Sequence, residues 1–219
     1  MQPYVQTGLE AIRIVHILAG ATALFSGILA LGLFKQSKRH RLFGKFFFNA
    51  MIVVFFTAVV LAGVQGLNFL LCIAFLSFYS AYRGVRAMLI LKGSHAKWYD
   101  QLAGSSVVLC GAYLVLIAIS AYSEGEGDAA IIFGAFGILS IYLALSSMRE
   151  YVNIPTGAVR WFRIHKSSMG GALIATMTAF TVTALQFLPD LVAWLGPTIV
   201  FSPVLALIIR RSERDGMKA

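Results

Sequence analysis

The chain has 219 residues, of which 59% are hydrophobic and 12% charged, with 18 Lys and Arg against 9 Asp and Glu and a formal net charge of +9. So much apolar content excludes a soluble nucleic-acid binder, which has nowhere to hide the apolar surface, and excludes disorder, because a chain this apolar buries itself. A polytopic membrane protein accommodates both the hydropathy and the charge, provided the charge is confined to loops.

A membrane-crossing helix takes about 20 mostly apolar residues to span roughly 30 Å of hydrocarbon. In chain order such stretches lie at about 8–34, 45–64, 67–90, 102–122, 129–148, 167–188 and 191–210, within one domain covering 1–219. All are expected to be α-helices, since lipid-exposed backbone cannot stay unpaired and no alternating barrel pattern appears. The expected fold is therefore all-α, a seven-helix transmembrane domain. The first stretch is too long for the apolar core of a signal peptide and runs into a basic loop, as a retained span does. Gly63-Val64-Gln65-Gly66, the acidic run 123–128, Pro155-Thr156-Gly157 and Pro189 mark the breaks between stretches.

The positive charges follow alternate spans. Lys35, Lys38, Arg39, Arg41 and Lys45 come after span one, and Arg83, Arg86, Lys92 and Lys97 at the end of span three. Arg149, Arg160, Arg163 and Lys166 separate spans five and six, and Arg210, Arg211, Arg214 and Lys218 follow span seven. Of the basic residues only Arg13 falls on the other side, with Glu10, Glu124, Glu126, Asp128 and Asp190. The positive-inside rule then places the N-terminus outside and the C-terminus in the cytoplasm. Lys38-Arg39-His40-Arg41 leading to Gly44 and Arg163-Ile164-His165-Lys166 leading to Gly170 both open a span from the basic side. Spans one to three and five to seven read either as parallel triplets in a 3+1+3 arrangement or as two unrelated basic helix starts.

Few residues are left that can carry chemistry. His40 and His165 are candidate haem ligands, because imidazole ligates haem iron and the neighbouring Arg and Lys suit haem propionates. The alternative is that both simply meet lipid headgroups. Glu10, Arg13 and His16 share one helix face by their spacing, and ionisable groups at membrane depth mark a ligand site or proton pathway. The alternative there leaves Glu10 and Arg13 in the outer interface and His16 alone buried. At about 1.5 Å per residue, His16 and His40 lie near opposite faces of the bilayer and cannot share an iron. Tyr79, Tyr82, Arg83 and Arg86 line one face of span three, as residues for an anionic headgroup, a quinone or a substrate, or else as arginines snorkelling to the interface. Asn49 and Gln186 read as interhelical glue, His95 as a solvated loop residue, and Cys72 and Cys110 as small hydrophobes. No zinc-ligand spacing, phosphate-binding glycine loop or nucleophile elbow occurs, and span seven has no lysine for a retinal Schiff base.

The pattern His16-x3-Gly20, His40-Arg41-x2-Gly44-x6-Met51 and His165-x3-Met169 resembles the bacterial membrane protein family DUF2306, over roughly residues 12 to 185. That family typically has Trp before the last Met and Arg after it, where this chain has Ser168 and Gly170. The resemblance implies that His16, His40 and His165 form a set, and it implies no particular reaction. The resulting expectation is a multi-pass protein of the bacterial cytoplasmic (inner) membrane that binds a redox cofactor, haem b or a quinone. Two other classes fit the charge and the span count equally. One is a small-solute or proton transporter lined by Arg13 and His16; the other is an accessory or assembly subunit of a larger membrane complex. The expected partners are the lipid bilayer and a larger membrane complex or further copies of the chain, and no nucleic acid.

Overall fold

Long apolar runs with few breakers leave the backbone no partner but itself, and the helices follow from that. The computed structural model describes residues 3–32, 37–153 and 157–216, and their side chains over 6–32, 37–153 and 157–211. Seven α-helices run in order: α1 (Pro3–Gly32), α2 (Lys38–Gln65), α3 (Asn68–Leu91), α4 (Trp98–Ser123), α5 (Gly127–Val152), α6 (Ala158–Ala184) and α7 (Asp190–Gly216). Among the described residues there is no strand. Six of the helices, all but α6, are long and apolar enough to cross a membrane. α6 has the length, 27 residues, but it opens with Arg160, Arg163 and Lys166 and then gives many places to Ser, Thr and Gly. The chain is thus an all-α, multi-pass membrane protein.

The helices reach beyond the apolar stretches at several ends. α2 begins at Lys38, where the Ser37 side chain accepts the His40 N–H at 3.0 Å. It ends at Gly66, whose φ of 67° is the left-handed conformation that glycine adopts without strain. α4 begins at Trp98 and α5 runs on to Val152, because hydropathy marks only the hydrocarbon crossing and a helix continues into the interface. The expected end of span one at Phe34, together with Lys35, Pro155, Thr156, Lys218 and the Arg214 side chain, lies outside the described residues.

The chain divides into two compact units, Met1–Phe78 and Tyr79–Ala219. In the first, α1 lies along α2, with Ala23, Ser26, Phe47, Ala50 and Met51 buried. Phe55 of α2 stacks on Phe78 at 4.6 Å between ring centres and meets Phe75 edge-on at 5.2 Å. In the second, α4 packs on α5, and the buried residues of α4, Asp100, Gly104, Val107, Gly111, Leu114, Ala118 and Ala121, are spaced alternately by four and three. A Cβ on Gly111 would sit 2.8 Å from the Gly137 carbonyl oxygen, and one on Gly137 would sit 2.9 Å from that of Gly111, so backbone meets backbone there. α6 pairs with α7, where Gly170 admits Leu205, and Trp194 of α7 meets Phe136 of α5 edge-on.

The buried residues are mostly apolar, but small hydroxyl side chains are buried among them and large apolar ones are exposed. Ser26, Ser140, Ser147 and Thr178 are buried, while Phe25, Leu109, Leu116 and Ile138 are exposed. Small and hydroxyl side chains let helices approach one another, and the large apolar ones face the hydrocarbon.

Candidate functional site

The strongest concentration of interacting polar side chains lies at one end of the second unit, where α3 ends, α4 begins, α5 ends and α6 begins. Asp100 stands in the first turn of α4 and is fully buried. Its Oδ2 accepts the Lys97 N–H at 2.8 Å, capping a helix end whose dipole favours a negative charge. Arg86 of α3, 4% exposed, forks onto the same carboxylate, Nε to Oδ1 at 2.7 Å and Nη2 to Oδ2 at 2.6 Å. The Tyr82 hydroxyl donates to Oδ1. Arg86 also donates to the His95 carbonyl at 2.9 Å and lies over the Tyr99 ring, 5.5 Å from its centre. A buried charge is tolerated when it is paired and its remaining lone pairs and protons are satisfied, and here both ions meet that condition.

One turn nearer the middle of α3, Arg83 Nη2 donates to Glu150 Oε2 of α5 at 2.5 Å, with the two side chains 11% and 21% exposed. The expected alternative of snorkelling is corrected by these contacts. Both arginines turn toward carboxylates on neighbouring helices, because a cross-helix anion satisfies the guanidinium more fully than a distant interface. Tyr79 is hydrogen-bonded to Ser147 of α5. The Ser147 proton goes to the Leu143 or Ala144 carbonyl at 2.9 Å, so Tyr79 is the donor. Three buried atoms, Arg83 Nε, the Tyr151 hydroxyl oxygen and Ser168 Oγ, have no hydrogen-bond partner among the described residues. Beside this cluster a cavity of about 430 Å³ is lined by Glu150, Gly157, Val159, Arg160, Arg163 and Ile164.

The three singled-out histidines share one feature. His165 Nδ1 lies 2.8 Å from the Gly84 carbonyl oxygen, and His40 Nδ1 lies 2.9 Å from that of Ala30. A carbonyl only accepts, so each Nδ1 carries the proton. His16 Nδ1 lies 2.8 Å from Thr57 Oγ1, which itself donates to Val53 or Val54, so here too Nδ1 is the donor. In the neutral form of each ring the lone pair is then on Nε2. A hydrogen bond from Nδ1 to a carbonyl fixes the orientation of an imidazole that ligates metal through Nε2.

Of the residues singled out by spacing, Tyr82 and Arg83 belong to the buried cluster. His165 adjoins it through the carbonyl of Gly84, beside Arg83. His16 is half-buried, whereas Glu10 and Arg13 on its helix face are exposed. His40 belongs to the first unit and His165 to the second. Among the described residues no group of three or more His, Cys, Asp or Glu is placed to hold a metal ion. Sequence reasoning missed Asp100, Ser147, Glu150 and Tyr151. The available signal was charge: Asp100 and Glu150 are acidic residues next to apolar stretches on the side expected to be basic. Comparison with family models, curated proteins and solved structures finds no match.

Proposed function

We propose that this membrane protein holds a redox cofactor of the haem b class through imidazole Nε2, with His40 and His165 as the ligating residues of their respective units. The observation that supports the reading is the common Nδ1 anchoring of these rings to backbone carbonyls, the arrangement that orients a histidine for metal. A porphyrin brings its own equatorial ligands, so a single well-oriented imidazole in each unit suits haem better than a metal caged by protein ligands alone. Arg39 and Arg41 beside His40, and Arg163 and Lys166 beside His165, supply cations for its carboxylates. When bound, the group would supply one-electron transfer, and the chain's own part is to orient the rings and neutralise the carboxylates. The test is the visible spectrum of the purified protein: a Soret band that shifts on reduction is expected, weakened in His165→Ala and in His40→Ala. A colourless protein without iron contradicts the reading.

The proposal extends to topology. All seven helices, α6 included, cross a bacterial cytoplasmic membrane, with the N-terminus outside, the C-terminus inside, and α1–α3 and α5–α7 related as 3+1+3. A reporter fused after Ala219 that is active only outside the cytoplasm would refute the orientation. The contact between His16 and Thr57 favours a second reading, a proton or small-solute carrier using α1 and α2. Proteoliposome uptake that is unchanged in His16→Ala for every solute offered counts against it.

A further inference from the structure

We propose that the junction of α3, α5 and α6 binds an ordered water molecule, held jointly by Arg83 Nε, the Tyr151 hydroxyl and Ser168 Oγ. These are the buried side-chain atoms without a hydrogen-bond partner among the described residues, and all belong to the second unit. Tyr151 and Ser168 are each 5% exposed. An unpaired polar group in a protein interior is unfavourable, so several of them gathered at one place point to a partner they share.

The packing brings these atoms to one level of the bundle. On α3, Arg83 is followed by Gly84, where a Cβ would stand 2.6 Å from the Met169 side chain and 3.3 Å from the Met169 backbone nitrogen. Ser168 precedes that methionine on α6, and His165, one turn earlier, meets the Gly84 carbonyl. Tyr151 reaches in from α5. Its ring belongs to the buried apolar cluster of Ala87 and Ile90 of α3 with Trp161 and Ile164 of α6. Ala87 lies one helical turn from Arg83, and Ile164 one turn from Ser168. Tyr151 also interacts electrostatically with Arg83, Tyr79 and Asp100.

The chemistry of the three atoms selects the occupant. The Arg83 charge is matched by Glu150, so the site has no net charge with which to hold an anion. A guanidinium nitrogen and two hydroxyls offer neither the carboxylate, the imidazole nor the thiolate that a metal ion takes. Arg83 Nε only donates, whereas each hydroxyl both donates and accepts. The occupant is therefore small and neutral, accepting at one point and donating at another, and water meets every condition. It accepts from Arg83 Nε and from one hydroxyl and donates to the other, about the usual number of bonds for a buried water. Glu150, the ion-pair partner of Arg83, borders the cavity of about 430 Å³ and gives water a way in. The site uses none of the histidines, so it stands or falls apart from the haem reading.

The test combines hydroxyl-radical footprinting of the full-length protein in detergent with melting temperatures. X-ray radiolysis turns a bound water into a radical that oxidises the side chain beside it, and mass spectrometry reads the product residue by residue. Tyr151 should be oxidised several-fold more than Phe136, a ring of the same unit that is 7% exposed. Tyr151→Phe and Ser168→Ala each remove one hydroxyl with little change of shape, and each should lower the melting temperature by about 2–4 °C. Because both act on one water, the double variant should fall by less than the sum of the two. Should a variant fail to fold, the labelling of the wild-type protein decides. The proposal is overturned if Tyr151 is oxidised no more than Phe136, or if the two shifts simply add. It is also overturned if either single variant melts at or above wild type, as the removal of an unpaired hydroxyl would give.

Discussion

In the second unit the ionisable side chains of α3 turn inward, Arg86 onto a fully buried Asp100 and Arg83 onto Glu150. In the first unit Glu10 and Arg13 of α1 lie exposed, and the one half-buried ionisable group of that face, His16, meets a neutral hydroxyl. α3 is less apolar than α1 or α2, though all three are long and apolar enough to cross a membrane. The difference lies in what the neighbouring helix offers. Where it brings a carboxylate within reach, a charge can be buried and satisfied; where it brings only the Thr57 hydroxyl and the Val54 backbone, the charged residues stay outside and an imidazole goes in.

The largest effect should come from breaking the buried pair. Asp100→Ala leaves Arg86 buried without its counter-ion and removes the cap of α4, so unfolding in detergent should become easier by about 3–5 kcal/mol. Adding Arg86→Met should recover a large part of that loss, because the stranded charge is then gone. If the single and double variants are equally destabilised, the cluster is not an ion-pair device. Next comes the close approach of α4 and α5. Gly137→Val puts side-chain atoms where the Gly111 carbonyl and Val115 now sit, and should cost about 1–3 kcal/mol on the same assay. Ser147→Ala strands the buried Tyr79 hydroxyl at a cost of about 1–2 kcal/mol, whereas Tyr79→Phe/Ser147→Ala together should be milder. The smallest effect belongs to the first unit. Thr57→Val removes one partner of a half-buried His16, which keeps the Val54 backbone, and should change stability by about 1 kcal/mol or less. A larger loss there than at Asp100 would reverse the comparison between the units.

The helical architecture was legible from apolar length, and the breaks from Gly66 and Pro189. The shared face of Tyr79, Tyr82, Arg83 and Arg86 was legible from spacing, because helical periodicity is a property of one segment. What these residues bind was not, since Asp100 and Glu150 are partners across helices and no local pattern connects them to α3. Both also lay just outside the apolar stretches expected at 102–122 and 129–148, where they read as loop residues, while α4 and α5 extend to carry them. The histidines could be singled out by their positions, but their common Nδ1 anchoring depends on the carbonyls of Ala30 and Gly84 and the hydroxyl of Thr57. Those acceptors come into place only when the helices pack.

That anchoring makes the absorbance spectrum of the purified protein the most direct test of the proposed function. The account predicts a Soret band that shifts on reduction and is diminished by His165→Ala in protein that remains folded. A colourless, iron-free protein, or a band that survives the loss of both His40 and His165, would contradict it.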